Sequence, residues 1–121
     1  MSRFSWAARL RSVRYALAGG RIMLATQHNA WIHAAATIAV VVLGVSLPLS
    51  RLDWALLIVA IALVWIAEAL NTGLEFLADS ISTEPHQAIG RAKDVAAFAV
   101  LLAALAAVLI GGCVFMPYLL T

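Results

Sequence analysis

Four polar side chains on one short stretch could do chemistry together: Glu68, Asn71, Glu75 and Asp79. At about 100° per residue along a helix, they fall within a stripe roughly 80° wide. The stretch continues from an apolar run, Trp54 to Ala67, that reads as a membrane-spanning helix. A carboxylate inside a bilayer costs roughly 2–3 kcal/mol on insertion scales and more in simulations. A helix end that simply emerges into water is the plainer reading of such acids. Against it, a mostly apolar segment separates Glu68 from Glu75. The stripe is read instead as a site for a cation and a polar substrate group.

Lys93, the only lysine of the chain, stands beside Asp94 where another apolar run begins. As an isolated pair at an exposed helix end the two would interact weakly. Beside the acidic stripe, Lys93 can bind a phosphate while the acids hold Mg²⁺. Phosphoryl transfer needs those parts: cationic charge on the phosphates, oxygen ligands for magnesium and a base for the attacking hydroxyl. The chain has neither a G-x-x-x-x-G-K-[ST] phosphate loop nor the glycine loop of protein kinases, and 121 residues are too few for a soluble kinase fold. Glu68 and Glu75 lie two helical turns, roughly 10 Å, apart, too far for both to ligate one ion directly. That spacing suits Glu75 on the metal and Glu68 near the acceptor hydroxyl, where desolvation makes a glutamate a stronger base.

The elements that must position these groups are helices in a membrane. Hydrophobic residues make up 64% of the chain and charged ones 12%, more apolar content than a soluble core of this size needs. Ala30 to Leu49 and Val95 to Thr121 are uncharged runs long enough for the roughly 20 residues of a span. With the second run this predicts an all-α membrane protein of one domain, residues 1–121, with spans at about 30–49, 54–78 and 95–118. Arg3, Arg9, Arg11, Arg14 and Arg21 precede the first span, and Arg91 and Lys93 lie between the second and third. The positive-inside rule then makes the N-terminus and the second loop cytoplasmic and the C-terminus external. Nucleic-acid binding is a poor use for this charge, since nothing soluble is left to present it.

Residues 1–28 alternate arginines with Phe4, Ala7, Leu10 and Leu17 near helical spacing, the pattern of an amphipathic helix at the cytoplasmic surface. Gly19-Gly20 predicts a flexible break within it. Trp31 and Trp54 suit the two interfaces, and His33 reads as a hydrogen-bonded helix histidine rather than a ligand. Pro48 marks the end of the first span. Trp54 to Glu68 is roughly 21 Å of helix, so in a core about 30 Å thick Glu68 lies well inside the cytoplasmic surface while Glu75 and Asp79 reach it. In the third span, Ala99, Ala103, Ala104, Ala106 and Ala107 allow close helix packing. Gly111-Gly112 and Pro117 are expected to loosen its outer end. Cys113, the single cysteine, reads as a small buried apolar residue.

Glu68-Ala69-Leu70-Asn71-Thr72-Gly73-Leu74-Glu75, then Asp79, then Gly90-Arg91-Ala92-Lys93-Asp94-Val95-Ala96-Ala97 resemble the signature blocks of the prokaryotic diacylglycerol kinases. These are small integral-membrane lipid kinases of the bacterial inner membrane, unrelated to soluble kinases. The resemblance covers nearly the whole chain, including Asn29-Ala30-Trp31-Ile32-His33. It implies a homotrimer of three-span subunits with active sites shared between neighbours. It implies ATP as phosphate donor, Mg²⁺ as cofactor, Glu68 as catalytic base and Glu75 as a magnesium ligand. Asn71 and Asp79 become supports of the site. Lys93 and Asp94 become ATP contacts, joined by Glu75, Glu84, His86 and Tyr15.

The chain departs from the family in one place. A second metal-binding glutamate usually stands just before the first span, and here the residue is Gln27, whose amide oxygen can ligate magnesium without adding charge. The family has two known acceptors, diacylglycerol and undecaprenol. Diacylglycerol is taken as the acceptor, with undecaprenol as the alternative that Asn29, Ile32-His33 and Asp94-Val95-Ala96-Ala97 also resemble. A non-enzymatic membrane subunit using the acids as a proton relay is the remaining alternative, and it would have no use for Lys93 and Asp94.

Overall fold

The computed structural model describes residues 3–82 and 84–121. They form four helices: α1 Trp6–Thr26, α2 His28–Val45, α3 Arg51–Ile81 and α4 Gln87–Leu119. The expected surface helix begins in Met1 and Ser2, which lie outside the described residues; within them, Ser5 starts α1 by accepting a hydrogen bond from Ala8 N. Helices α2, α3 and α4 are each long and apolar enough to cross a membrane. The protein is thus all-α with three candidate spans, as the hydropathy pattern predicts.

Side-chain contacts fix the register. His33 meets Glu68, and Thr37 meets Trp65. Near the far end of α2 the Trp54 ring closes over Gly44. Partner numbers fall along α3 as they rise along α2, so the two helices are antiparallel. Helix α4 runs back along α3 in the same way. Lys93 Nζ donates to Asp79 Oδ1 at 2.9 Å at one end, and the Tyr118 hydroxyl donates to Asp53 at the other. Asp53 also closes a capping box, accepting from Ser50 N at 3.1 Å while Ser50 Oγ accepts from Asp53 N at 3.1 Å. One carboxylate therefore starts α3 and anchors the end of α4.

The apolar core sits at this end. Leu57, Val114 and Phe115 are buried together, with Val40, Leu43, Leu47, Leu49, Trp54 and Ile110 packed around them. Trp54, expected as an interface anchor, is half-buried and packs inward over Gly44. Elsewhere the helices expose their apolar faces. The chain presents 9057 Å² of surface, against about 6,300 Å² for a compact soluble protein of 12.9 kDa. Such a surface needs hydrocarbon or other protein against it.

Three expectations are corrected. Gly19-Gly20 does not break α1, which is helical through both glycines and ends at Gln27, where φ is −110° and ψ 114°. Two glycines cost a helix only about 2 kcal/mol, and the helix keeps its hydrogen bonds. Gly111-Gly112 and Pro117 likewise lie inside α4, which reaches Leu119, because the α4 segment around them is held by Val114, Phe115 and Tyr118. Cys113 is exposed rather than buried; Val114 and Phe115 beside it take the inward face of α4.

Gly44 yields the first prediction. A Cβ there would stand 2.7 Å from Trp54 Cη2, so Gly44→Ala forces α2 away from α3. Thermal unfolding in detergent should show a loss of roughly 1–3 kcal/mol, the usual cost of overpacking. Trp54→Leu should recover much of it, and a variant as stable as the parent would contradict the contact.

Candidate functional site

Helix α3 is 31 residues long and α4 is 33, about 46 and 50 Å at 1.5 Å per residue. Both exceed a hydrocarbon core of about 30 Å, whereas the 18 residues of α2 do not. The excess lies at the turn between α3 and α4, and most of the expected site residues sit there. Asp79, Glu84, His86 and Lys93 line one pocket of about 450 Å³. Ser82, Gln87 and Gly90 line it too. The resemblance gave none of these three a role; Ser82 caps α3 while Gln87 and Gly90 open α4, and only the meeting of the two helix ends brings them to one pocket.

The pocket is polar and open. Lys93 and Asp79 form its ion pair, with side chains 36% and 61% exposed. In so much water the pair adds little stability. Its chemical use is to hold the ammonium at the mouth with donor capacity left over, since Lys has three N–H donors and Asp79 takes one. Asp94, next in sequence, is exposed and does not line this pocket. Tyr15 is 75% exposed on α1, in a shallow depression formed with Arg11, Arg14 and Ala18 of the same helix. Within this chain it is not brought to the others.

Going inward along α3, exposure falls steadily. Asp79 is exposed, Glu75 half-buried, Asn71 and Thr72 buried, and Glu68 has no accessible surface. The stripe read from spacing is thus a gradient from water to full burial. Glu68 Oε2 lies 3.3 Å from His33 Nε2. Glu68 Oε1, Asn71 Oδ1 and Thr72 Oγ1 are buried with no hydrogen-bond partner among the described residues. Buried polar atoms are nearly always paired, and an unpaired one costs about 1–3 kcal/mol. Three within little more than one helical turn leave capacity for a polar partner there. Thr72 is the member that sequence reasoning missed, because an amphipathic stripe assigns Thr to neither face.

His33 was expected to be hydrogen-bonded rather than a ligand, and its contact is to Glu68. Gln27 is half-buried at the junction of α1 and α2, its amide nitrogen donating to Thr26 Oγ1 at 3.2 Å. The amide oxygen is left for another partner. Gln27 lies six residues before His33, and Glu75 seven after Glu68. These intervals are about 9 and 10.5 Å of helical rise, so the antiparallel register sets Gln27 and Glu75 at similar depth. Among the described residues no three His, Cys, Asp or Glu side chains come together as a metal cluster. Magnesium does not require one: it keeps several waters and binds through one or two carboxylates together with substrate phosphates. Glu75 with the Gln27 amide oxygen fits that donor set.

The pocket generates the second prediction. If the pocket holds the phosphates of ATP, removing the cation that lines it, with Lys93→Ala, should weaken that binding by about 10–100-fold, the worth of a hydrogen bond to a charged group. Equilibrium binding of a fluorescent ATP analogue to the detergent-solubilised protein checks this; unchanged affinity would remove Lys93 from the site.

A sequence profile described as prokaryotic diacylglycerol kinase matches residues 14–115. Among curated proteins, a diacylglycerol kinase of Synechocystis sp. is 44% identical over 93% of this chain and 65% of its own length. The chain therefore spans just under two thirds of that relative. The undecaprenol kinase of Bacillus subtilis is 36% identical over 78% of the chain and 76% of its own length. For the diacylglycerol kinase of Escherichia coli the figures are 38%, 66% and 71%. The matched residues 14–115 contain α2 and α3 entire, together with Gln27, Glu68, Glu75 and Lys93, and the chain belongs to the prokaryotic diacylglycerol kinase family.

Proposed function

We propose that the protein is an ATP-dependent lipid kinase that phosphorylates the hydroxyl of diacylglycerol to give phosphatidic acid. The observation that carries this reading is Glu68: a fully buried carboxylate with one oxygen unpaired, on the same helix as the polar pocket. About 16 Å of helical rise separates it from Asp79, a span comparable to an extended nucleoside triphosphate. A donor held by Lys93, Glu84 and His86 at the pocket can thus direct its terminal phosphate inward, and a membrane-bound acceptor can bring its hydroxyl to the same level from the lipid side.

In the proposed reaction Glu68 Oε1 takes the proton of the lipid hydroxyl. The oxygen's electron pair forms the new bond to the γ-phosphorus, and the bond to the β–γ bridging oxygen breaks with its pair leaving on ADP. Glu68 then returns its proton to water as product departs. Asn71 and Thr72 offer polar groups beside the reacting hydroxyl. Glu75, with the Gln27 amide oxygen, would hold Mg²⁺, which when bound neutralises charge on the β- and γ-phosphates. Tyr15 and Asp94 are assigned to nucleotide contacts. Because Tyr15 stands apart within one chain, that assignment requires a neighbouring subunit, and the exposed apolar faces of α3 and α4 support a homotrimer with shared sites. The protein is placed in the bacterial inner membrane with α1 and the α3–α4 turn on the cytoplasmic side, where ATP is found.

Diacylglycerol is preferred over undecaprenol because the Synechocystis diacylglycerol kinase matches more of the chain at higher identity than the Bacillus undecaprenol kinase. Purified protein with labelled ATP and each lipid decides between them: phosphatidic acid as the main product supports the reading, and undecaprenyl phosphate reverses it. Full activity from a monomer in mild detergent would contradict the shared site.

Two variants test the chemistry. Glu68→Gln keeps shape and hydrogen bonding but cannot take the proton, so the lipid-kinase rate should fall by roughly 10²–10⁴-fold with nucleotide binding near normal. Loss of Mg-ATP binding with the chemical step intact would make Glu68 a ligand instead. Gln27→Glu should lower the magnesium concentration needed for half-maximal rate, since a carboxylate adds charge to a hard-cation site. An unchanged magnesium titration would put Gln27 outside the metal's reach.

A further inference from the structure

Glu68 has two oxygens in different circumstances. Oε2 is 3.3 Å from Nε2 of His33, whereas Oε1 has no partner. To act as the proposed base Glu68 must carry its charge, and a carboxylate in that state only accepts hydrogen bonds, so in the reacting form the His33 nitrogen facing it is the donor. The torsion that orients a glutamate carboxylate is broad, and without a donor on one oxygen either could turn toward a substrate. We propose that His33 is a positioning residue for the base: its Nε2–H fixes Oε2 and leaves Oε1 as the oxygen that meets the acceptor hydroxyl.

The surroundings of His33 are built to hold the ring in that place. Thr37 Oγ1 donates to the His33 carbonyl at 2.7 Å and accepts from Trp65 Nε1 at 2.9 Å. That link ties α2 to α3 one turn from the His33–Glu68 contact and secures their spacing. The Trp65 ring lies edge-on to the imidazole, with centroids 6.3 Å apart and planes at 67°. The remaining wall is a cleft of about 300 Å³ to which α4 contributes Ala104, Ala107, Val108 and Gly111. None of these titrates or accepts a side-chain hydrogen bond. Glu68 is the ionisable group that α3 presents to His33, and Thr37, the other polar side chain of the cleft, is already engaged.

This inference rests on the reading of Glu68 as the base, and the experiment separates the two. Lipid-kinase rates, KM for ATP and thermal midpoints are measured for His33→Leu, His33→Gln, Glu68→Gln and the double variant His33→Leu with Glu68→Gln. His33→Leu should lower kcat by roughly 10–100-fold, the cost of a misdirected reacting group, with KM for ATP unchanged. His33→Gln keeps an N–H donor and should restore most of the rate. In the Glu68→Gln background, His33→Leu should cost nothing further, because there is no base left to aim. If Glu68→Gln retains its rate, the base assignment falls and the role of His33 with it. If Glu68→Gln is inactive while His33→Leu turns over normally, the positioning role alone is overturned. A rate loss that His33→Gln does not relieve, and that persists in the Glu68→Gln background, overturns it in favour of a structural role. Should His33→Leu fail to fold, His33→Gln and His33→Asn replace it: Asn is one methylene shorter and should lose the rate that Gln keeps, and equal rates in the two overturn the proposal.

Discussion

A carboxylate cannot be left by itself among apolar side chains without either gaining a partner or losing its charge. Glu68 is in that position, with no accessible surface, and much of the local architecture answers to it. His33 from α2 supplies one hydrogen bond, and the Thr37–Trp65 link beside it fixes the distance between the two helices. The second oxygen, with Asn71 and Thr72 nearby, is left unpaired. Such groups are destabilising in an isolated chain. They persist where something else, a substrate or a neighbouring subunit, completes the hydrogen bonding.

The cost is tolerable because the helices are secured elsewhere. At one end, Asp53 caps α3 and receives the Tyr118 hydroxyl from α4, above the core of Leu57, Val114 and Phe115. At the other, Lys93 and Asp79 join the same two helices in water. The first clamp packs against buried apolar surface, whereas the second is solvated and weak. Stability is therefore concentrated at the end away from the polar pocket, and the pocket end is free to exchange its ion pair for contacts to a ligand.

The same arrangement explains why one chain looks incomplete as a folded object. Helix α2 touches α3 only sparsely, and although α3 and α4 run alongside each other, α4 buries only Val114 and Phe115. In hydrocarbon there is no hydrophobic drive for helices to cover such faces. Small residues leave grooves instead, as Ala96, Ala99, Ala103 and Ala106 do beside Asn71. The proposed association with further copies would cover both the grooves and the unpaired polar atoms.

Much of this was legible in the sequence. Runs this long and apolar read as helical spans, since only helices and closed barrels satisfy all their backbone hydrogen bonds in lipid. Polar residues at helical spacing share a face whatever surrounds them, so Glu68, Asn71, Glu75 and Asp79 declared themselves as a set, the lone Lys93 stood out beside them, and Glu84 and His86 followed from the resemblance. The register between helices was not legible. Pairings such as His33 with Glu68, Asp53 with Tyr118 and Gly44 with Trp54 depend on how far one helix slides past another, and that is settled by side-chain fit. Burial within the stripe was settled the same way, whereas α1 runs through Gly19-Gly20 because two glycines cost a helix little. Periodicity determines which residues share a face; only the packed structure decides what that face meets.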